Sequence, residues 1–185
     1  MDIITTLERS ANAAATVARG VRPDQFASPT PCSDWNVEEL MNHLIGSLEY
    51  FKGRGEGKSS GPLRPAAPTT YDQTVEHLQK VAVATAEVWR RPGALEQTID
   101  TGAGKMPASA MATLVASEML THEWDLATAT GQHMPTDDVD VEQVLAEMKR
   151  SLKAEARKPG FGPEVEPPPN APPIDRLAAF LGRHP

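Results

Sequence analysis

The sequence predicts an all-α protein, an up-and-down four-helix bundle with additional C-terminal helices. Three observations lead there. Apolar residues recur at spacings of three and four along most of the chain. The long periodic segments are separated by stretches rich in proline and glycine. Alternating strand patterns are nearly absent. At 185 residues the length suits one domain spanning 1–185.

The elements follow in order. Ile3, Ile4, Leu7, Ala11, Ala14, Ala15 and Ala18 form one face of a first helix that ends near Gly20. The next segment, "RPDQFASPTPCSDW", is too rich in proline for a regular element and reads as a loop. A second helix starts at the capping box "NVEE", with Asn36 as the cap and Glu39 three residues on. Val37, Leu40, Met41, Leu44, Ile45 and Leu48 are its buried stripe, and His43 sits at the stripe's edge. It decays into "FKGRGEGKSSGPLRPAAP", expected to be a mobile surface loop.

A third helix is expected from Tyr71 to Arg90, stopped by Arg91, Pro92 and Gly93. "LEQTIDTGAGKMP" reads as an extended or hairpin-like excursion around "TGAG". A fourth helix follows Pro107, with Ser109 as its expected cap, and Gly131 is placed to stop it. The fifth, "DDVDVEQVLAEMKRSLKAEAR", has acids first and bases last, as the helix dipole prefers. "KPGFGPEVEPPPNAPP" cannot be helical, and "IDRLAAFLGRHP" closes the chain as a short helix.

Composition narrows the function. The net charge is −7, so there are few spare cations to displace counterions from a nucleic acid, and no nucleic-acid partner is expected. No apolar run approaches the ~18 residues of a membrane span. The N-terminus lacks the pattern of a signal peptide. With one cysteine, Cys32, no intrachain disulfide is possible, which suits a reducing cytoplasm.

The chemistry concentrates in "SEMLTHEWDLATATGQ", residues 117–132. Four helical residues turn through about 400°, so Glu118 and His122 project within roughly 40° of each other, and Asp125 lies on nearly the same side. His43 could face them across the bundle. Two imidazoles and a carboxylate from two helices make a three-ligand set with open positions, suited to Zn²⁺, Ni²⁺ or Fe²⁺. The same residues also admit an ordinary structural reading. In it His122 is a satisfied helix histidine, Glu118 is its surface partner and His43 is unrelated. His77, His133 and His184 are poorer ligands by position.

The segments "TPCSDWNVEELMNHLIGSLEYF", "SEMLTHEWDLATATGQ" and "APPIDRLAAFLGRHP" resemble the DinB-like bundles. In particular they resemble the metal-binding domain of the mycothiol-dependent maleylpyruvate isomerase type, in a single-domain actinobacterial branch. The resemblance runs from about Thr30 to Pro185 and is loose between Gly53 and Ser109. It implies one divalent metal held by His43, Glu118 and His122. Asp125 matches no ligand, and it is expected to hold a ligand imidazole or to bridge to a loop. Trp35 and Trp124 are expected to be packing anchors beside the site. The isomerase carries a further domain for which this sequence has no room, so its own reaction is not implied.

Three functions are consistent with this pattern. The first is a metal-dependent thiol S-transferase, with mycothiol as the co-substrate and a small electrophile as the acceptor. Cations for the thiol's carboxylate would come from Arg54, Lys58 or Lys105. The second is a metal-dependent hydrolase with Asp125 or Glu123 as the base. The third is a non-catalytic metal-binding bundle in which Cys32 completes the ligand sphere; the ordinary role for Cys32 is packing. A homodimer is consistent with the resemblance.

Overall fold

A computed structural model describes residues 2–58, 70–101, 104–153, 157 and 161–185. The expected mobile loop after the second helix lies largely outside these residues. So do the centre of "TGAG", residues 154–156 and the start of the C-terminal tail. Six helices and one small hairpin are described: α1 (Ile3–Arg19), α2 (Val37–Gly55), α3 (Tyr71–Trp89), β1 (Thr98–Asp100), β2 (Lys105–Pro107), α4 (Ala108–Thr130), α5 (Asp138–Ser151) and α6 (Pro173–Phe180). None of the described helices is long and apolar enough to cross a membrane.

Local chemistry explains most boundaries. Asp2 caps α1 by accepting from the Ile4 N–H. Asn36 and Glu39 close the capping box on α2: Glu39 N–H donates to Asn36 Oδ1 at 2.9 Å, and Asn36 N–H donates to Glu39 Oε2 at 2.9 Å. Gly131 ends α4 in the left-handed conformation, at φ 68°, as its position predicts. The hairpin is antiparallel, with Ile99 opposite Met106. The loop before α2 holds one 3-10 turn at Pro23–Gln25 and an isolated bridge between Pro29 and Asn36.

Two boundaries differ from expectation. Ser109 does not cap α4. The helix starts directly from β2 with Pro107 at the cap position, and the Ala108 N–H is taken by the Gln97 carbonyl instead. α5 stops at Ser151, because Leu152 leaves helical geometry at φ −84°, ψ 98°.

α1 packs on α3 and α4, and α2 packs on the same two helices, so α1 and α2 stand diagonally across the core. Leu7, Leu40, Leu44, Leu78, Met119 and Leu120 fill that core without solvent exposure. The course of the chain departs from a simple up-and-down bundle at one step, because α2 and α3 run in the same direction. At one end the Phe26 carbonyl accepts from the Glu38 N–H of early α2 at 3.1 Å, and the Phe26 ring lies 5.3 Å from Tyr71 at the start of α3. At the other end the Phe51 and Trp89 rings meet at a tilt, with centroids 5.6 Å apart and planes at 47°. Antiparallel neighbours need only a short turn, whereas residues 56–70 separate these helices by enough chain to retrace a helix length. The order is therefore up, down, down, up.

α4 is the central helix. It contacts α1, α2, α5, α6 and the hairpin, and its buried residues face all round. α5 is tied to α1 by Asp140, which accepts from Thr6 Oγ1 at 2.9 Å and pairs with Arg9 at 2.7 Å. α6 is tied to α4 by the Trp124 indole, whose Nε1–H donates to Asp175 Oδ1 at 2.9 Å.

Candidate metal centre

His43 stands two turns into α2, and Glu118 and His122 lie on successive turns of α4. The facing of α2 and α4 brings the three together. One donor atom from each lies within 4.8 Å of the other two. His43 Nε2 is 2.7 Å from Glu118 Oε1. The two imidazoles meet edge to face, with centroids 5.0 Å apart and planes at 82°. A cation bonded to N and O ligands at about 2.0–2.2 Å separates them by roughly 3–3.5 Å. The spacing here fits that requirement with only side-chain adjustment, and the donor types fit a borderline divalent metal.

The surroundings orient these groups. The Trp35 ring stacks on His43, with centroids 4.0 Å apart and planes at 25°, and presents its edge to His122 at 5.7 Å. A tight turn carries Trp35 there: Thr30 Oγ1 donates to the Trp35 carbonyl at 2.7 Å, and Trp35 N–H donates to the Cys32 carbonyl at 3.0 Å. Ser47, one turn after His43, donates its hydroxyl to Glu118 Oε1. On the other flank, His122 Nδ1 lies 2.9 Å from Asp125 Oδ2. Burial works against the Asp125 charge, but His122 and Arg183 outweigh it and hold its carboxyl below the usual range. An ionised carboxylate only accepts, so Nδ1 carries a proton, and it is Nε2 whose lone pair the neutral ring offers. Glu118 is held low in the same way: burial opposes its charge, and His43, His122 and Ser47 more than compensate.

The other sequence candidates are not members of the trio. Cys32 is buried and forms a second group with Asp125 and the shared His122. Burial pushes its thiol up. Asp125 spends both oxygens on His122 and on the Arg183 guanidinium, which donates to Oδ1 at 3.0 Å and to Oδ2 at 3.0 Å. Glu123 is fully buried with its carboxylate turned to the Thr136 hydroxyl. Trp124 faces α6. His77 pairs with Glu49 at 2.9 Å on the surface, and His133 and His184 are exposed. Of the expected cofactor cations, Lys58 pairs with Glu56 at 2.6 Å, Lys105 is exposed on β2, and Arg54 lies two turns beyond Ser47 with its guanidinium 4.7 Å over the Tyr50 ring.

Ser47 and Arg183 are the site residues that sequence reasoning missed. The i, i+4 spacing from His43 to Ser47 is a signal that could have found the first. Arg183 is 58 residues from its partner, and no local pattern marks it.

Comparison with known proteins agrees with this architecture. Two crystal structures of mycothiol-dependent maleylpyruvate isomerase, one of them a histidine-to-alanine mutant, align over 80% of this chain with a TM-score of 0.60 at 15% and 14% identity. This chain covers 66% of their length, and the likeness establishes the fold. Two uncharacterized proteins of Mycobacterium tuberculosis, from strains CDC 1551 / Oshkosh and H37Rv, are each 35% identical over 185 residues. Those alignments cover 99% of this chain and 98% of each relative. Residues 7–127 match the model of the mycothiol maleylpyruvate isomerase N-terminal domain, and the chain belongs to that family.

Proposed function

We propose that this protein is a divalent-metal-dependent thiol S-transferase that joins mycothiol to a small electrophile. The observation that carries the reading is the convergence of His43, Glu118 and His122 from two helices within 4.8 Å. Zn²⁺ is the metal that two imidazoles and one carboxylate suit first, with Ni²⁺ and Fe²⁺ as alternatives. Bound there, such a cation supplies Lewis acidity that lowers the pKa of a thiol. Mycothiol enters through the family, whose described member is a mycothiol-dependent isomerase.

The chain's own residues divide the remaining work. His43, Glu118 and His122 hold the cation and leave part of its sphere to ligand. Ser47 fixes the Glu118 oxygen, and Asp125 fixes the ring of His122. Trp35 covers one face of His43 and keeps water from that side. Hydrolysis would need a free general base beside the metal. Asp125 has no oxygen to spare, and Glu123 is turned to Thr136, which favours a nucleophile that needs no such base.

The test starts with metal content, measured by mass spectrometry on untagged protein purified without metal affinity. About one equivalent is expected in the parent, and none in His43→Ala or His122→Ala. The metal-loaded parent is then mixed with mycothiol and model electrophiles. Conjugates that form no faster than with free metal would overturn the transferase reading. Ester or amide turnover without thiol would replace it with a hydrolase.

A further inference from the structure

Arg183 reaches the centre from the far end of the chain. α6 ends in a Schellman-type turn: Gly182 N–H donates to the Ala179 carbonyl at 3.0 Å, and Arg183 N–H donates to the Ala178 carbonyl at 2.9 Å. Gly182 sits at φ 94°, and a Cβ there would stand 2.6 Å from the Gly162 Cα. Neither the backbone angle nor the space admits another residue readily. Leu181 beside it is buried. The Arg183 backbone is thus fixed over α4.

The guanidinium side chain is 14% exposed, and its partner Asp125 is wholly buried. A buried ion pair is weak evidence for stability, because desolvation offsets its Coulomb gain. Its geometry offers a better reason. The last side-chain torsion of an aspartate is broad, so one hydrogen bond from His122 would leave the carboxylate plane free to turn. Arg183 grips both oxygens with a planar fork, and Oδ2 also accepts from His122 Nδ1–H at 2.9 Å. Fixing that plane fixes the direction of Nδ1–H, and the ring then carries Nε2 on its opposite edge for the ligand trio.

We propose that Arg183 is a positioning residue for the metal centre. Acting through Asp125, it orients His122 as a ligand. The inference rests on the metal reading above and goes beyond the family match, because Arg183 lies outside the matched residues 7–127.

The experiment is a Zn²⁺ titration of the full chain against a chromophoric chelator. It compares the parent with Arg183→Ala, Arg183→Lys and Asp175→Ala. Asp175→Ala loosens the hold of α6 on Trp124 without touching the Arg183–Asp125 contact. Affinity is expected to fall about 10–100-fold in Arg183→Ala. Arg183→Lys, which keeps the charge but not the fork, should fall between that variant and the parent. Asp175→Ala should bind like the parent. The inference is overturned if Arg183→Ala binds like the parent, or if Asp175→Ala loses as much affinity as Arg183→Ala. If Arg183→Ala does not fold, the imidazole ¹⁵N spectra of metal-free parent and Arg183→Lys decide. A single Nδ1–H tautomer of His122 in the parent, mixed in Arg183→Lys, supports the inference; the same pure tautomer in both overturns it. A parent that takes up no Zn²⁺ at all overturns the metal reading itself.

Discussion

Glu123 is a carboxylic acid in the wrong solvent. It has no exposed surface, and one of its oxygens has no hydrogen-bond partner among the described residues. Burial pushes its carboxyl from 4.5 up to about 7, against the smaller pull of the Thr136 hydroxyl. The folded state therefore binds this proton more tightly than the unfolded state. The resulting stability is fully present below pH 4.5 and is lost as the pH rises to about 7. The span corresponds to about 3 kcal/mol as an upper scale. Glu123→Gln keeps the shape and cannot ionise. Denaturant melts should show the variant more stable than the parent by about 2–3 kcal/mol at pH 8, with the gap shrinking by that amount towards pH 5. A gap that does not change with pH would refute the assignment. The sequence placed Glu123 beside His122 and made it a candidate base. Successive helix residues diverge by about 100°, and only the packed neighbours show that its carboxylate faces Thr136.

At the scale of elements, the readable features were those encoded within one turn. The capping box at Asn36 and Glu39, the Gly131 stop and the acid-to-base polarity of α5 all form as their local chemistry predicts. Asn36→Ala should cost about 1 kcal/mol, lowering the thermal midpoint by roughly 2–4 °C for a chain of this size. Differential scanning calorimetry reads the shift, and no shift would mean that the Phe26 and Ser28 carbonyls, which take the Glu38 and Val37 N–H groups, hold this helix end alone. Ser109 shows the limit of local signals. A good cap residue near a helix start was overruled because β2 runs straight into α4 and the Gln97 carbonyl takes the Ala108 N–H. The direction of α3 is a similar case. Periodicity identifies a helix without giving its heading, and the long segment 56–70 was the one hint that α2 and α3 need not reverse.

At the scale of the whole molecule, the site is a seam between helices. Helical spacing made Glu118 and His122 legible as neighbours, but placing His43 opposite them required α2 to pack on α4, and Arg183 required the chain to return after α6. Such contacts depend on tertiary packing and leave no periodic trace. On the proposed reading, the same architecture makes metal binding a stability term. Glu118 and His122 on α4 and His43 on α2 converge only when both helices are docked, so a cation held by the trio binds the folded state. At free Zn²⁺ a hundred times the dissociation constant, the linkage is worth about 2.7 kcal/mol. That should raise the thermal midpoint by roughly 5–10 °C at this chain length. His122→Ala removes one proposed ligand from α4 and His43→Ala removes the proposed ligand on α2, so Zn²⁺ should leave the midpoint of either variant within about 1 °C of its metal-free value. Melts of parent and variants with and without Zn²⁺, each against a chelator control, measure this. An equal rise in all three would mean that the stabilising cation sits elsewhere. A rise in the parent alone would place it on the seam between α2 and α4.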